Sequence, residues 1–300
     1  MAESFKYLIP AAQDAKFGLS VTTVGSQDVL PGEVYPAPGH PDEYEFNPAT
    51  GRILDQYQII YISKGQGRYT DARGTDYHLR AGSVIVLFPG VWHTYSPDRT
   101  TGWKEFFIGA KGPVIDEVVK GGFLTSDSPV LNVGLSERLV SLYNEALDIA
   151  NEGNICAQQY LSGIWMHILG FVLCSSATPE VRVDEAVYKM EMAKIYMGEK
   201  FGEEIDFCKM ADDLMMSYSS FRKNFKAHTG MPPGRYLQDV RLREACRLLR
   251  DTNLSVKRVS VVTCFKSVTL FNCLFRKRIG TTPLAYRHAS RATVNDNNKV

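Results

Sequence analysis

The chain has 300 residues, 44% of them hydrophobic, and a formal net charge of only +1. That length exceeds one ordinary domain and can bury two separate cores, and the composition is that of an ordinary globular protein. The longest apolar stretch, around Ile168 to Cys174, is far too short to span a bilayer, and MAESFKYLIP lacks a basic start followed by an apolar run. Six cysteines are scattered without a CxxC pair, which favours a reducing compartment. The expectation is a cytoplasmic protein with no membrane partner.

From about residue 18 to 110 the chain carries short β-rich runs, QYQIIYIS, GRYTD, SVIVLF and WKEFFIG, punctuated by Gly, Pro and Asp. Closely spaced strands of this kind predict a sandwich or barrel. Helical spacing takes over at Ser136. Leu139, Val140, Tyr143, Ala146, Leu147 and Ala150 mark one helix, and Leu161, Ile164, Trp165, Ile168, Leu169 and Val172 a second, which together predict a hairpin. The polar stretch 175–186 reads as a linker. Beyond Val187 the pattern is helical up to the polar tail TVNDNNKV, for which disorder is expected.

Charge divides the chain where the texture does. Residues 1–188 hold 13 Lys and Arg against 22 Asp and Glu, net −9, whereas residues 189–291 hold 20 against 10, net +10. Such a basic module has the electrostatic footprint of a phosphate binder, since each neutralised phosphate releases condensed counterions. The same module repeats itself. Shifted by fifty residues, FRKNFKAHTGMPPGRY at 221–236 falls on FNCLFRKRIGTTPLAY at 271–286, aligning Phe221 with Phe271, Phe225 with Phe275, Gly230 with Gly280, Pro233 with Pro283 and Tyr236 with Tyr286. Each copy reads as a helix, a turn and a second helix with Phe at i and i+4 on its buried face, closed by a glycine. The intervening GRYLQDVRLREACRLLRD predicts a long helix that sets the spacing of the two units. Two recognition helices reading one face of B-DNA stand about 34 Å apart.

The stretch from about Lys189 to His288 resembles the AraC family of bacterial regulators, above all in FRKRIGTTPLAYR, and also in ADDLMMSYSSFRKNFKAHTG and RLREACRLL. The resemblance implies a tandem helix-turn-helix that binds double-stranded DNA. Three positions depart from the family pattern. Ser260, Cys264 and Phe265 stand where the family has Ala and then Gly-Phe, and Cys273 stands where Arg is common. Cys264 is unfavourable if its turn needs a positive φ, and Met215 occupies the similar slot in the first unit. The expected base-reading residues are Ser219, Arg222 and Lys223 in the first unit and Val268, Thr269 and Asn272 in the second, with Lys226, Arg276 and Lys277 on phosphates.

The acidic half resembles the cupin-like sensor domains of such regulators, through QIIYISKGQGRY, LRAGSVIVLFPGVWHTY and WKEFFIGAKG. It has no HxH between Tyr61 and His78, so His93 stands alone, and no metal, cofactor or catalytic site is expected. Tyr57, Tyr61, Trp92, His93, Tyr95, Trp103 and Glu105 supply aromatic surface with polar tips, suited to a small polar effector such as a sugar.

The fold expected is α+β and multidomain: a cupin-like β-barrel that binds the effector (1–130), a helical hairpin for homodimerisation (131–175), a linker (176–188), the double helix-turn-helix (189–288) and a polar tail (289–300). The function expected is an effector-responsive transcription activator that contacts RNA polymerase. Two rivals differ in class: a metal-dependent cupin enzyme, and a ligand-binding module whose helix-turn-helix units have degenerated.

Overall fold

A computed structural model describes residues 4–36, 44, 46–152, 156–177 and 185–297. They fall into two compact units, Met1–Val183 and Asp184–Val300. The first contains β1 (Ser4–Tyr7), α1 (Ala12–Ala15), β2 (Ser20–Val29), β3 (Arg52–Ile53), β4 (Tyr57–Asp71), β5 (Asp76–Arg80), β6 (Ser83–Leu87), β7 (Trp92–Pro97), β8 (Trp103–Lys111), α2 (Pro113–Lys120), β9 (Val130–Asn132), α3 (Glu137–Glu152) and α4 (Ala157–Ser176). The second is helical: α5 (Glu185–Glu199), α6 (Phe207–Asp213), α7 (Tyr218–Thr229), α8 (Pro233–Asp251), α9 (Val256–Val262), α10 (Val268–Ile279) and α11 (Pro283–Asn297).

The expected cupin-like β-barrel does not form. The antiparallel sheet runs β1-β2-β8-β4-β6-β9, and among the described residues no ladder joins β1 to β9, so the sheet is open. A barrel needs its last strand to pair with its first. Here β9 is three residues long and the chain then leaves the sheet as α3, which packs on β1 and β2, while α4 packs on β2 and β9. The sheet is instead organised about the fifteen-residue β4. Its first half pairs with β8 and β6, placing Ile60 opposite both Phe107 and Ile85, and its second half pairs with β5 and β7. The β4–β8 register shifts between Ile62 and Lys64. Immediately after the shift, Gly65 has φ +79, and a Cβ there would strike the Gly102 carbonyl.

Period-two alternation sorts the residues of β4 onto two covered faces. Ile60 and Ile62 join Val29, Leu79, Ile85, Trp103 and Phe107 in the inner core. Tyr61 faces the helices, where its ring stacks on Tyr143 and its hydroxyl donates to Gly134 O and accepts from Ser136 N. Helix α4 is fastened to β2 by side chains: Gln158 brackets Val21, accepting from its N–H at 3.0 Å and donating to its carbonyl at 2.9 Å, and Ser162 donates to Leu19 O. All the hairpin positions picked out by helical spacing except Ala150 are buried within the unit. Part of the expected linker, 178–184, lies outside the described residues.

In the second unit the sequence repeat becomes two small cores. Phe221 and Phe225 are fully buried with Met190, Met210 and Leu237; Phe271 and Phe275 are fully buried with Leu242, Leu249 and Val259. Tyr236 and Tyr286 meet Phe225 and Phe275 edge-on at 5.3 and 5.7 Å. Ser217 and Ser267 cap the second helix of each copy, and Gly230 and Gly280 end it at φ +78 and +85. Helix α8 serves both cores, Leu237 lying in the first and Leu242, Ala245 and Leu249 in the second. Helix α11 runs through Asn297, into the stretch read as a polar tail; residues 298–300 lie outside the described residues.

Among the described residues, Met215 and Cys264 are the non-glycine residues with positive φ, +54 and +55. Left-handed backbone costs an L-residue about 1–2 kcal/mol, part of which glycine returns as chain entropy. Met215 is 89% exposed, so its side chain contributes little packing to offset that cost. Met215→Gly should therefore stabilise the protein by about 0.5–1 kcal/mol, measurable as a higher urea midpoint of the second unit's unfolding. A lower midpoint would mean that the Met215 side chain holds the turn.

Candidate nucleic-acid interface and ligand cavity

Each helix-turn-helix copy buries one face of its second helix and leaves the other bare. On α7, Ser219, Arg222, Lys223 and Lys226 are exposed opposite Phe221 and Phe225. Their spacing of three, four and seven places them on one stripe. On α10, Thr269, Asn272, Arg276 and Lys277 are exposed and Val268 is half-buried. Cations elsewhere in the unit are of both kinds, some paired and others, such as Lys257, Arg258 and Lys266, not paired among the described residues. Lys194 pairs with Glu191, Arg247 with Glu244 and Arg278 with Asp239, whereas among the described residues Arg222, Lys223, Lys226, Arg276 and Lys277 form no ion pair. The two copies also differ in their turns. Four residues, Leu214–Ser217, separate α6 from α7, and five, Thr263–Ser267, separate α9 from α10, so the fifty-residue offset becomes forty-nine before the turn.

The sequence-selected aromatic and polar residues of the first unit do not converge on one place. Tyr95 and Glu105 line a small cavity on the inner face of the sheet, beside Tyr35, Arg52, Gln58 and Gln27. Trp103 packs at its edge, 5.6 Å from the Tyr35 ring, and His93 stacks on Tyr95 at 6.1 Å. Tyr57 and Tyr61 belong to the opposite face: Tyr57 donates to Asp116 of α2, and Tyr61 is held by Gly134 and Ser136. Trp92 donates to Thr50 O. Sequence reasoning missed Arg52, Gln27, Gln58 and Tyr35. The available signal was a glutamine at an inward register position among apolar neighbours, as at Gln58 in QYQIIYIS.

The cavity is chemically unusual because it brings buried Glu105, Gln58 and Gln27 together with a half-buried Arg52, and their pairing is incomplete. Glu105 is 3% exposed and accepts from the Tyr35 hydroxyl at 3.1 Å. Arg52 donates to Tyr44 O at 3.0 Å and to the Tyr95 hydroxyl at 2.6 Å, and its guanidinium lies 4.6 Å over the Phe46 ring. Its Nε has no partner, nor has Gln58 Oε1. Among the described residues no group of three or more His, Cys, Asp or Glu is placed to hold a metal, and no helix is long and apolar enough to cross a membrane.

Two family models match the chain, an AraC-like ligand binding domain over residues 32–159 and a helix-turn-helix domain over residues 210–289. The chain is a DNA-binding transcription regulator of the AraC family. It is 25% identical over 295 residues to the MmsAB operon regulatory protein of Pseudomonas aeruginosa, covering 97% of this chain and 92% of that one. It is 29% identical over 251 residues to the transcriptional activator RhaS of Enterobacter sp., covering 80% and 88%. Among solved structures, the DNA-binding domain of AdpA in complex with a target DNA matches at 30% identity and a TM-score of 0.34, covering 35% of this chain and 95% of that one. The likeness throughout is to regulators and not to enzymes.

Burial governs the titration of the regulator's inner face. It pushes the Glu105 carboxyl up to about 8, against the opposing pulls of the Tyr35 hydroxyl and the Arg52 guanidinium. Burial also brings the His93 imidazole down to about 4, with the Arg52 charge acting in the same direction. The two act oppositely on stability. As pH rises from Glu105's ordinary 4.5 to about 8, the unfolded chain releases a proton that the folded chain retains, so stability falls. As pH falls from His93's ordinary 6.5 to about 4, the unfolded chain takes up a proton that the folded chain refuses, so stability falls again. Glu105→Gln removes the first effect alone. Its melting temperature should exceed that of the parent by a margin that widens from about pH 5 to about pH 8; a margin independent of pH would show that Glu105 is ionised throughout.

Proposed function

We propose that this regulator is a cytoplasmic, homodimeric activator whose first unit binds a small hydroxylated effector and whose second reads DNA through α7 and α10. The observation that carries the DNA reading is the unpaired cationic stripe on α7 opposite its buried phenylalanines. Arg and Lys reach guanine O6 and N7 in the major groove, Asn pairs with adenine and Val meets a thymine methyl. Ser219, Arg222 and Lys223 then read bases in one half of the site, and Val268, Thr269 and Asn272 in the other. Lys226, Arg276 and Lys277 hold phosphates, which fix register without specifying sequence. With Arg and Lys concentrated in the first unit, specificity is lopsided across the site.

Activation is supported by relatives named as activators, such as RhaS and the lactose operon activator of Staphylococcus xylosus, and contact with RNA polymerase is the proposed route. An effector rich in hydroxyls is supported by the tyrosines, glutamines and carboxyl that line the inner cavity. It would act by binding two states of the regulator with different affinity.

The stripe from Leu139 to Val172 is occupied within the unit, so dimerisation falls to what remains of α4. Its outer face presents Tyr160, Gly163, Met166, His167 and Gly170, and none of the twenty residues of the helix is charged. A helix facing water alone would carry charge on that side. Gly163 and Gly170 are seven apart, on one face, and nothing lies within 4 Å of a Cβ at either, so a second copy's helix can approach closely.

Arg222→Ala should weaken operator binding by about 1–3 kcal/mol and relax preference at one base pair. Footprinting and competition with random DNA measure this, and equal weakening on both DNAs would make Arg222 a phosphate contact. Met166→Glu should convert the dimer to a monomer in light scattering while leaving the circular dichroism spectrum unchanged. A dimer that persists would place the interface elsewhere.

A further inference from the structure

Resting on the effector reading above, we propose that the inner cavity takes a small hydroxy-carboxylate, the acid rather than the neutral polyol, with its carboxylate on the Arg52 guanidinium and a hydroxyl on Gln58. The guanidinium carries a full charge into a cavity walled by Phe46, Tyr95 and Gln58, yet among the described residues no carboxylate lies within ion-pair distance of it. Its hydrogen bonds go to a carbonyl and a phenol, neither of which neutralises it, and its Nε points at no acceptor. Arg52 is half-buried with its Nε enclosed, and a charge so placed gains from a counter-ion. Glu105, the acid of the same cavity, is engaged by Tyr35 and forms no ion pair with Arg52, and burial pushes its carboxyl up against the pull of that guanidinium. One uncompensated unit charge calls for one carboxylate. A phosphate dianion would bring a second charge with no cation to meet it.

The second fixed point is Gln58, 4% exposed, whose amide nitrogen donates to Thr23 Oγ1 while its Oε1 has no partner. An unused acceptor enclosed beside an unused cationic donor matches a molecule with a hydroxyl donor next to a carboxylate. An alcohol or sugar supplies the hydroxyl but leaves the guanidinium uncompensated. The cavity measures about 30 Å³, room for little more than a water. A larger ligand needs the wall to yield, and the smallest hydroxy acids need the least displacement.

The test pairs each acid with its neutral counterpart on the full-length protein: lactate with propylene glycol, gluconate with sorbitol, galacturonate with galactose. At least one acid should raise the melting temperature by about 3–5 °C at saturation while its neutral partner does not. Arg52→Gln should abolish that rise, and Arg52→Lys, which keeps the charge but loses the fork, should retain part of it. Circular dichroism and operator binding confirm that both variants are folded. A neutral partner as effective as its acid, or an undiminished response in Arg52→Gln, overturns the acid assignment and leaves an effector cavity standing. No response to either member of any pair, in melting temperature or in tryptophan fluorescence from Trp103 at the cavity edge, overturns both.

Discussion

The first half of strand β4, Tyr57 to Ser63, is buried on both faces, and the architecture of the first unit follows from that. Its outward residues, Ile59 and Tyr61, are covered by α3 through Tyr143, whose hydroxyl donates to Ile59 O at 3.2 Å. Its inward residues, Ile60 and Ile62, close the core with Trp103 and Phe107. A strand so enclosed has no solvent face on which to place polar side chains. Every polar group it carries inward must find a partner or cost about 1–3 kcal/mol. Gln58 is the inward polar residue of that first half, and it lies where Arg52, Tyr95 and Glu105 also meet. The cavity is thus a defined polar interruption of an otherwise apolar layer, fixed in place by the register of β4 against β8.

The second unit solves a different problem. A helix-turn-helix copy is too small to bury much surface, so each one concentrates its core on two phenylalanines four residues apart and a tyrosine edge-on to the second. Helix α8 lends residues to both cores, which makes the separation of α7 and α10 a property of one continuous element. The copies diverge in the turn, where the second has one more residue, and on the bare face, where Arg222 and Lys223 are matched by Asn272 and Cys273. Scaffold and chemistry have therefore varied independently. Both turns keep a left-handed residue even though neither supplies a glycine for it, which shows that the turn geometry is imposed by the packing on either side.

Much of this was legible in the sequence, for identifiable reasons. The repeat at offset fifty fixed the paired phenylalanines, the closing glycines and the shared helix, because each depends on spacing alone. The positive φ at Cys264 and Met215 followed from the slot that each occupies. Strand positions were legible, but closure was not: alternation marks a strand without saying whether the last one returns to the first. That question was decided by β9 stopping after three residues and by α3 and α4 covering the sheet. The stripe Leu139 to Val172 was read as a dimer face, yet an apolar stripe looks the same whether it meets a second copy or its own sheet. Tyr57 and Tyr61 were grouped with Tyr95 and Glu105 because they are close in kind, and only the register separates them onto opposite faces.

The groups that would hold a ligand are also the groups that hold the cavity wall together. Tyr35 is kept in place by donating to Glu105, and Tyr44 by accepting from Arg52 through its carbonyl. Both are modest attachments, since a typical hydrogen bond contributes about 0.5–1.5 kcal/mol net. Arg52 Nε and Gln58 Oε1 have no partner within the protein. A ligand that satisfies them while displacing Tyr35 exchanges weak contacts for stronger ones, because bonds to a charged group are worth roughly 1.5–3 kcal/mol. In the proposed reading, occupancy and the position of the Tyr35 ring would be linked. A regulator requires that coupling, since a ligand with equal affinity for both arrangements would shift nothing however tightly it bound.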